Sequence, residues 1–205
     1  EISKVLKNNV PILILTKGLA INNNNYEVLA HKMERLLKKN GVKETNISAA
    51  GGPCLAKNLA NKAHTAVVFA NNDIKIAEKI SKLVSTDYYH ISTSDDVVGV
   101  EACAAIKNIF SMAVGASQGL CDAKQSKEKN YLNTAAALMQ ESIYEMITFV
   151  EKLKGKKETV IGLAGIGDLY VSADGGRNSK MGEYLGQGMT FQEAKKTKMP
   201  NITVE

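Results

Sequence analysis

Apolar positions in the first half of the chain fall into short blocks separated by polar turns. Val10-Pro-Ile-Leu-Ile-Leu-Thr16 is a compact apolar run ending at Lys17-Gly18, the pattern of a buried strand. Tyr26, Leu29, Met33, Leu36 and Leu37 then recur at helical spacing until Asn40-Gly41 stops them. Ile47 to Ala50 predicts a strand entering the turn Gly51-Gly52-Pro53, with a short helix behind it. Thr65 to Ala70 predicts a second β-branched strand. Ile74, Ala77, Ile80 and Leu83 mark an amphipathic helix, and Asp87 to Ser92 a further strand. Strands alternating with helices predict an α/β layer up to about residue 92.

From Ser94 the period changes. Residues 95–116 and 132–153 predict two long helices, the second followed by Gly155 and a basic loop. Thr190 with Glu193 makes a capping box for a short helix, and the low-complexity patch Asn22 to Asn25 reads as a loop. No internal repeat is visible. The expected organisation is an α/β domain over residues 1–93 and a mostly helical domain over residues 94–205.

Composition narrows the class. The 205 residues are 44% apolar and 23% charged, ordinary for a globular chain. No run approaches the roughly 18 apolar residues of a membrane span, so no integral membrane segment is expected. The chain opens on Glu1 and closes on Val204-Glu205 without a cap; both ends look cut, and a fragment is expected. Cys54, Cys103 and Cys121 are an odd count without metal-ligand spacing, which predicts reduced thiols in a cytoplasmic protein and no metal. The net charge of +5 suits nucleic acid or small phosphorylated metabolites. The lysines are dispersed and only 5% of residues are aromatic, which favours the small phosphorylated substrate over nucleic acid.

Lys107 is the most informative residue: from Ala102 to Ser117 it is the only charge, in a segment apolar nearly all round a helix. A buried ammonium needs a partner or a depressed pKa, and an amine titrating near neutrality exchanges protons at working pH. The alternative is a lysine that snorkels to the surface. Asp168, the only charge between Glu158 and Asp174, is either its partner or a helix-terminal cap. Asp174-Gly175-Gly176-Arg177-Asn178 reads as a flexible turn that either presents an arginine fork and an amide to a phosphate or is a plain surface loop. Gly165-Ile-Gly167 and Gly186-Gln-Gly188 lack the third glycine of a dinucleotide fingerprint and do not open a βαβ unit, so neither is read as a nucleotide site. His31, His64 and His90 are scattered and read as helix-face or core residues.

Together these segments resemble the NAD(P)-dependent glycerol-3-phosphate dehydrogenases. The resemblance is carried by Leu15-Thr-Lys17-Gly18-Leu19, Gly52-Pro-Cys-Leu-Ala56-Lys, Gly99-Val-Glu-Ala-Cys-Ala-Ala-Ile-Lys107-Asn108, Asn133-Thr-Ala-Ala-Ala-Leu138, Leu163-Ala-Gly-Ile-Gly-Asp168-Leu, Gly175-Gly-Arg177-Asn178 and Leu185-Gly-Gln-Gly188, in order and in register. It implies the C-terminal half of a Rossmann-type domain followed by a helical substrate domain like the C-terminal domain of 6-phosphogluconate dehydrogenase. It also implies hydride transfer between sn-glycerol 3-phosphate and NAD or NADP, giving dihydroxyacetone phosphate or the reverse, in the service of glycerophospholipid synthesis. On the family's pattern Lys107 exchanges the proton at the C2 oxygen and Asp168 is its charged neighbour. Lys17, Gly52, Cys54, Asn108, Gly176, Arg177 and Asn178 would hold or line the substrate. Ala56, Arg177 and Glu205 would approach the cofactor, and a homodimer is the expected assembly.

The departures from that pattern are specific. The opening half-domain with GxGxxG and the final helices are absent, so the isolated chain is expected to be inactive or weakly active. Residues 121–131 look like an insertion, Glu141 stands where bacterial members often have arginine, and Cys54 replaces a usual Ser or Thr. Two other readings are carried: a lysine-dependent 3-hydroxyacid dehydrogenase, and a non-catalytic module that binds a phosphometabolite.

Overall fold

The computed structural model describes residues 2–7, 10–123 and 131–204. β1 (Pro11–Ile14) leads into a hairpin of β2 (Leu19–Asn22) and β3 (Asn25–Val28), and then into α1 (Leu29–Lys39). β4 (Asn46–Gly51), α2 (Ala56–Ala60), β5 (Thr65–Ala70), α3 (Ile74–Val84) and β6 (Tyr89–Ser94) complete the α/β layer. The four-stranded sheet has the order β1-β4-β5-β6. β1–β4 and β5–β6 pair parallel, whereas β4–β5 pair antiparallel, so the sheet is mixed. The chain leaves β4 at Gly52, whose φ of +117° is left-handed and whose Cβ, if present, would press on Val67 Cα at 3.1 Å, and returns to β5 through α2. Only glycine lets the chain turn back this closely over β5.

The hairpin departs from the sequence expectation. Tyr26 is on β3 and not on the helix, and Asn22 and Asn25 are paired strand residues. Asn23 and Asn24 form the two-residue turn with φ of 49° and 62°, a conformation that asparagine tolerates better than other non-glycine residues. β6 also lies two residues further along than Asp87 to Ser92, because Asp87 and Tyr88 belong to the turn closed by the Thr86 hydroxyl. His64 and His90 are not scattered: His64 immediately precedes β5 and His90 lies on the neighbouring β6, and the rings stack with a nitrogen–nitrogen distance of 3.1 Å.

Every later described element is helical. α4 (Val97–Ala123) runs further than expected and is followed by α5 (Leu132–Lys152) and α6 (Lys157–Val160). A π-type turn over Leu163–Gly167 then joins α7 (Asp168–Gly175), α8 (Arg177–Gly186) and α9 (Phe191–Thr197). The predicted capping box of Thr190 and Glu193 opens α9. Contrary to the expectation from the lengths of the apolar runs, α4 is long and apolar enough by length and composition to cross a membrane, but in this fold it is the central core helix. Its Val97 and Val100 pack with Ile14, Ala49 and Ala164 against the sheet. Its Ala102, Cys103 and Ile106 pack with Met146, Val150 and Leu169 among the helices.

α4 and α8 touch through backbone. A Cβ on Gly115 would lie 2.1 Å from the Ser179 carbonyl oxygen, and one on Gly119 1.9 Å from that of Glu183. On the facing helix, a Cβ on Gly182 would lie 2.0 Å from the Met112 carbonyl and one on Gly186 2.2 Å from that of Ala116. Two glycines four apart on each helix therefore form a seam, with Ser179 opposite Gly115 and Glu183 opposite Gly119, so the helices run in the same direction.

Candidate active site

Lys107 projects from the middle of α4 and is 6% exposed, as its apolar setting predicts. It does not snorkel. Its ammonium donates to Asp168 Oδ1 and, at 2.8 Å, to Ser172 Oγ. Asp168 and Ser172 are four apart on α7 and so share one helix face. Asp168, 2% exposed, serves as the partner and not as a cap. Its Oδ2 is buried without a hydrogen bond and has the Lys17 ammonium 3.5 Å away. Lys17, in the segment between β1 and β2, remains partly exposed.

Two ammonium groups thus face one carboxylate. Burial drives the Lys107 pKa down most strongly, Asp168 opposes this by favouring the charged form, and Lys17 adds a repulsion; the balance lies at about 8. The Cys54 thiol is pushed up by burial first and then by the Asp168 charge, with Lys17 pulling the other way. Cys54 is therefore within electrostatic reach of the same carboxylate. The Gly52-Pro53 turn sits against the π-type turn, since a Cβ on Gly167 would lie 3.3 Å from Pro53 Cδ.

Arg177 and Asn178 do not lie on a flexible turn. They form the first turn of α8, because Gly176 presses against the Ser172 carbonyl, at 2.1 Å from where its Cβ would be, and lets α8 start at once. Arg177 is exposed and Asn178 buried, on the helix whose seam with α4 fixes their height relative to Lys107. Asn108 follows Lys107 on α4 and is half-buried. Ala56 is exposed at the start of α2, and Glu205 lies outside the described residues, as do residues 124–130 of the expected insertion.

Ser172 carries no sequence signal of its own, since a serine four residues after an aspartate is common. Glu101 also escaped notice, one residue outside the apolar window around Lys107. Its Oε2 accepts the Ala30 N–H of α1 at 2.8 Å, its Oε1 is buried without a partner, and burial raises its pKa to about 7. A cleft of about 600 Å³ over Ser92, Ser94, Asp95, Lys156 and Thr159 contains none of the predicted site residues.

Fold and pair together define a class: a mixed α/β sheet backed by an all-helical domain whose central helix carries a buried lysine paired with an aspartate. The family model described as NAD-dependent glycerol-3-phosphate dehydrogenase C-terminus matches residues 96–205. The chain belongs to the NAD-dependent glycerol-3-phosphate dehydrogenase family. It is similar to the NADP(+)-dependent glycerol-3-phosphate dehydrogenase of Archaeoglobus fulgidus, 32% identical over 89% of this chain and 53% of the relative. It is likewise similar to the glycerol-3-phosphate dehydrogenase [NAD(P)+] of Clostridium tetani, 34% identical over 92% of this chain and 50% of the relative. The crystal structure of glycerol-3-phosphate dehydrogenase from Coxiella burnetii superposes with a TM-score of 0.75 at 30% identity, covering 97% of this chain and 57% of that one. The chain spans about half the length of the curated relatives it matches.

The described residues do not by themselves fit a whole dinucleotide. β1 runs into a hairpin and not into a helix, Gly165 and Gly167 are spent in the π-type turn, and Gly186 packs on α4. The glycine pair that does lead from a strand to a helix, Gly51-Gly52 between β4 and the five-residue α2, is closely packed, since a Cβ on Gly51 would lie 2.8 Å from Val100 and one on Gly52 3.1 Å from Val67; it lacks the GxGxxG spacing that seats a pyrophosphate.

Proposed function

We propose that this chain supplies the substrate-binding and proton-transfer part of a glycerol-3-phosphate dehydrogenase. The observation that carries the reading is the buried Lys107 held between Asp168 and Ser172, with a second ammonium on the same carboxylate. An amine titrating at about 8 is suited to take the C2 hydroxyl proton when neutral and to return it when charged. Asp168 keeps the charged form from being lost altogether, and its Oδ2, buried without a hydrogen bond, holds the Lys17 ammonium beside the pair at 3.5 Å. Lys17, Arg177 and Asn178 supply positive charge and donors for the phosphate, with Gly52, Cys54, Asn108 and Gly176 as the surrounding wall. Hydride exchange is the chemistry that bound NAD or NADP supplies. On this reading residues 1–93 are the remainder of the dinucleotide-binding domain and residues 94–205 the substrate domain of a cytoplasmic, homodimeric enzyme that feeds glycerophospholipid synthesis.

The test is calorimetric binding of dihydroxyacetone phosphate and glycerol 3-phosphate to the 205-residue chain, beside an NAD(P)H-oxidation assay. Binding should weaken about tenfold or more in Arg177→Ala, the loss of one charge-assisted contact. In the intact gene product, Lys107→Ala should abolish turnover. No binding of either triose phosphate, or wild-type turnover in the lysine variant, would reject the proposal. That no GxGxxG turn lies among the described residues favours a second reading, a module that binds the phosphometabolite without catalysis; tight NADH binding by this chain would dismiss it.

A further inference from the structure

The Lys107–Asp168 contact joins two stretches whose starting points are held by a single carboxylate. Asp96, 5% exposed, accepts the Gly99 N–H on Oδ1 at 2.8 Å and so caps the first turn of α4. Its Oδ2 accepts the Lys156 N–H at 2.9 Å and the Thr159 hydroxyl at 2.5 Å. Lys156 is the residue that opens α6, and Thr159 lies within it. The Asp96 N–H is itself held by Ser94 Oγ at 3.0 Å.

Glycines make this convergence possible. A Cβ on Gly99 would lie 1.9 Å from Asp96 Oδ2, and a Cβ on Gly155 would lie 2.9 Å from the Gly99 nitrogen. The loop before α6 is thereby allowed onto the first turn of α4. Both stretches lead from the carboxylate to the pair. α4 runs unbroken from Val97 through Lys107. From Thr159, α6 leads through Ile161 and an extended Gly162 into the π-type turn, where Gly165 is pressed against the Val160 carbonyl, and that turn ends at Asp168. An ionised carboxylate offers acceptors in both directions at once; an amide would turn a donor towards one of these groups.

We propose that Asp96 is a positioning residue that sets the separation of Lys107 from Asp168 by holding the starts of both of their elements. Its importance for turnover rests on the proposed role of that pair, but its geometric effect does not. The neighbouring Asp95–Lys156 ion pair is more than half exposed on both sides and serves as the surface control.

The experiment follows the Lys107 side chain directly. The 205-residue chain carrying 13Cε-labelled lysine is titrated by NMR, with Lys107 assigned through Lys107→Arg. Wild type should titrate near 8. In Asp96→Asn the amide meets the Lys156 N–H donor to donor, the pair loosens and water enters; relief of burial, the largest influence on Lys107, outweighs the lost attraction of Asp168, so Lys107 should move up by about half a pH unit or more. Thr159→Val, which removes only the hydroxyl bond, should move it the same way by less, while Thr159→Ser and Asp95→Asn leave it in place. A lowered Tm with unchanged Lys107 titration in Asp96→Asn and Thr159→Val would reduce Asp96 to a cap and overturn the proposal. Should Asp96→Asn fail to fold, the Thr159→Val titration decides alone. Absence of triose-phosphate binding or turnover in wild type would count against the proposed reaction and leave this titration untouched.

Discussion

Lys107 and Ser172 lie 65 residues apart in sequence and are joined by a hydrogen bond of 2.8 Å from ammonium to hydroxyl oxygen. Through this bond α7 gives the lysine a second acceptor beside Asp168, so its three donors are not all directed at one carboxylate. Ser172→Ala should weaken the hold on the ammonium by about 1 kcal/mol. The expected readout is a turnover loss of roughly fivefold with little change in KM, and a KM effect alone would place Ser172 outside proton transfer.

The proposed proton exchange has opposite pH signatures in its two directions. Oxidation of the alcohol needs the neutral Lys107 amine, so kcat/KM should rise with pH through about 8. Reduction of the ketone needs the ammonium, so that rate should fall over the same range. Measured on the intact gene product, two profiles rising together would assign the ionisation to another group.

Glu101 makes stability depend on pH in the other sense from a paired carboxylate. Burial raises its pKa from 4.5 to about 7, so the folded chain holds this proton more tightly than the unfolded chain. Stability therefore falls as pH rises from 4.5 towards 7, by up to about 3 kcal/mol from this group, and is level above that. Glu101→Gln keeps an acceptor for the Ala30 N–H but buries an unsatisfied amide, leaving a net gain of about 1–2 kcal/mol at pH 8 and none at pH 4. Urea unfolding at the two pH values checks this; an equal effect at both would dissociate the gain from proton binding.

The α4–α8 seam leaves no space for a side chain. Gly119→Val would drive a branched group into the Glu183 carbonyl, where even a Cβ would be 1.9 Å away. The expected cost is about 3 kcal/mol or more, seen as a large drop in Tm. Gly188→Ala is the comparison: nothing lies within 4 Å of its Cβ, and only the strained φ of +94° opposes it, at about 1 kcal/mol.

What the sequence disclosed followed the physics of isolated charge. Lys107 and Asp168 stand out because each is the sole charge in an apolar segment, and such charges must find each other. Thr65 to Ala70 and the α9 capping box were legible for a similar reason, each being a local rule satisfied locally. Strand direction was not, since periodicity is the same for parallel and antiparallel neighbours; it emerges from the connection through Gly52 and α2 and from the β4–β5 pairing itself. The hairpin was hidden because four-residue strands give too little alternation, and Asn23-Asn24 is a weaker turn signal than an Asn-Gly pair. The glycines before Arg177 read as flexibility in the sequence and so predict a loop there. Gly176 in fact serves a close contact with Ser172 that only the folded chain reveals.

The unbroken length of α4 gives the site a lever arm. Lys107 lies about 16 Å along the axis from the capped end at Asp96, so a tilt of about 4° there displaces its backbone by about 1 Å. Proton transfer does not tolerate an error of that size. Side-chain packing could absorb such a tilt by changing rotamers, but a seam of backbone against backbone has no rotamers to change. Angular precision at Lys107 is thus maintained by glycines that never approach it, and damage to them should erode rate before it erodes fold.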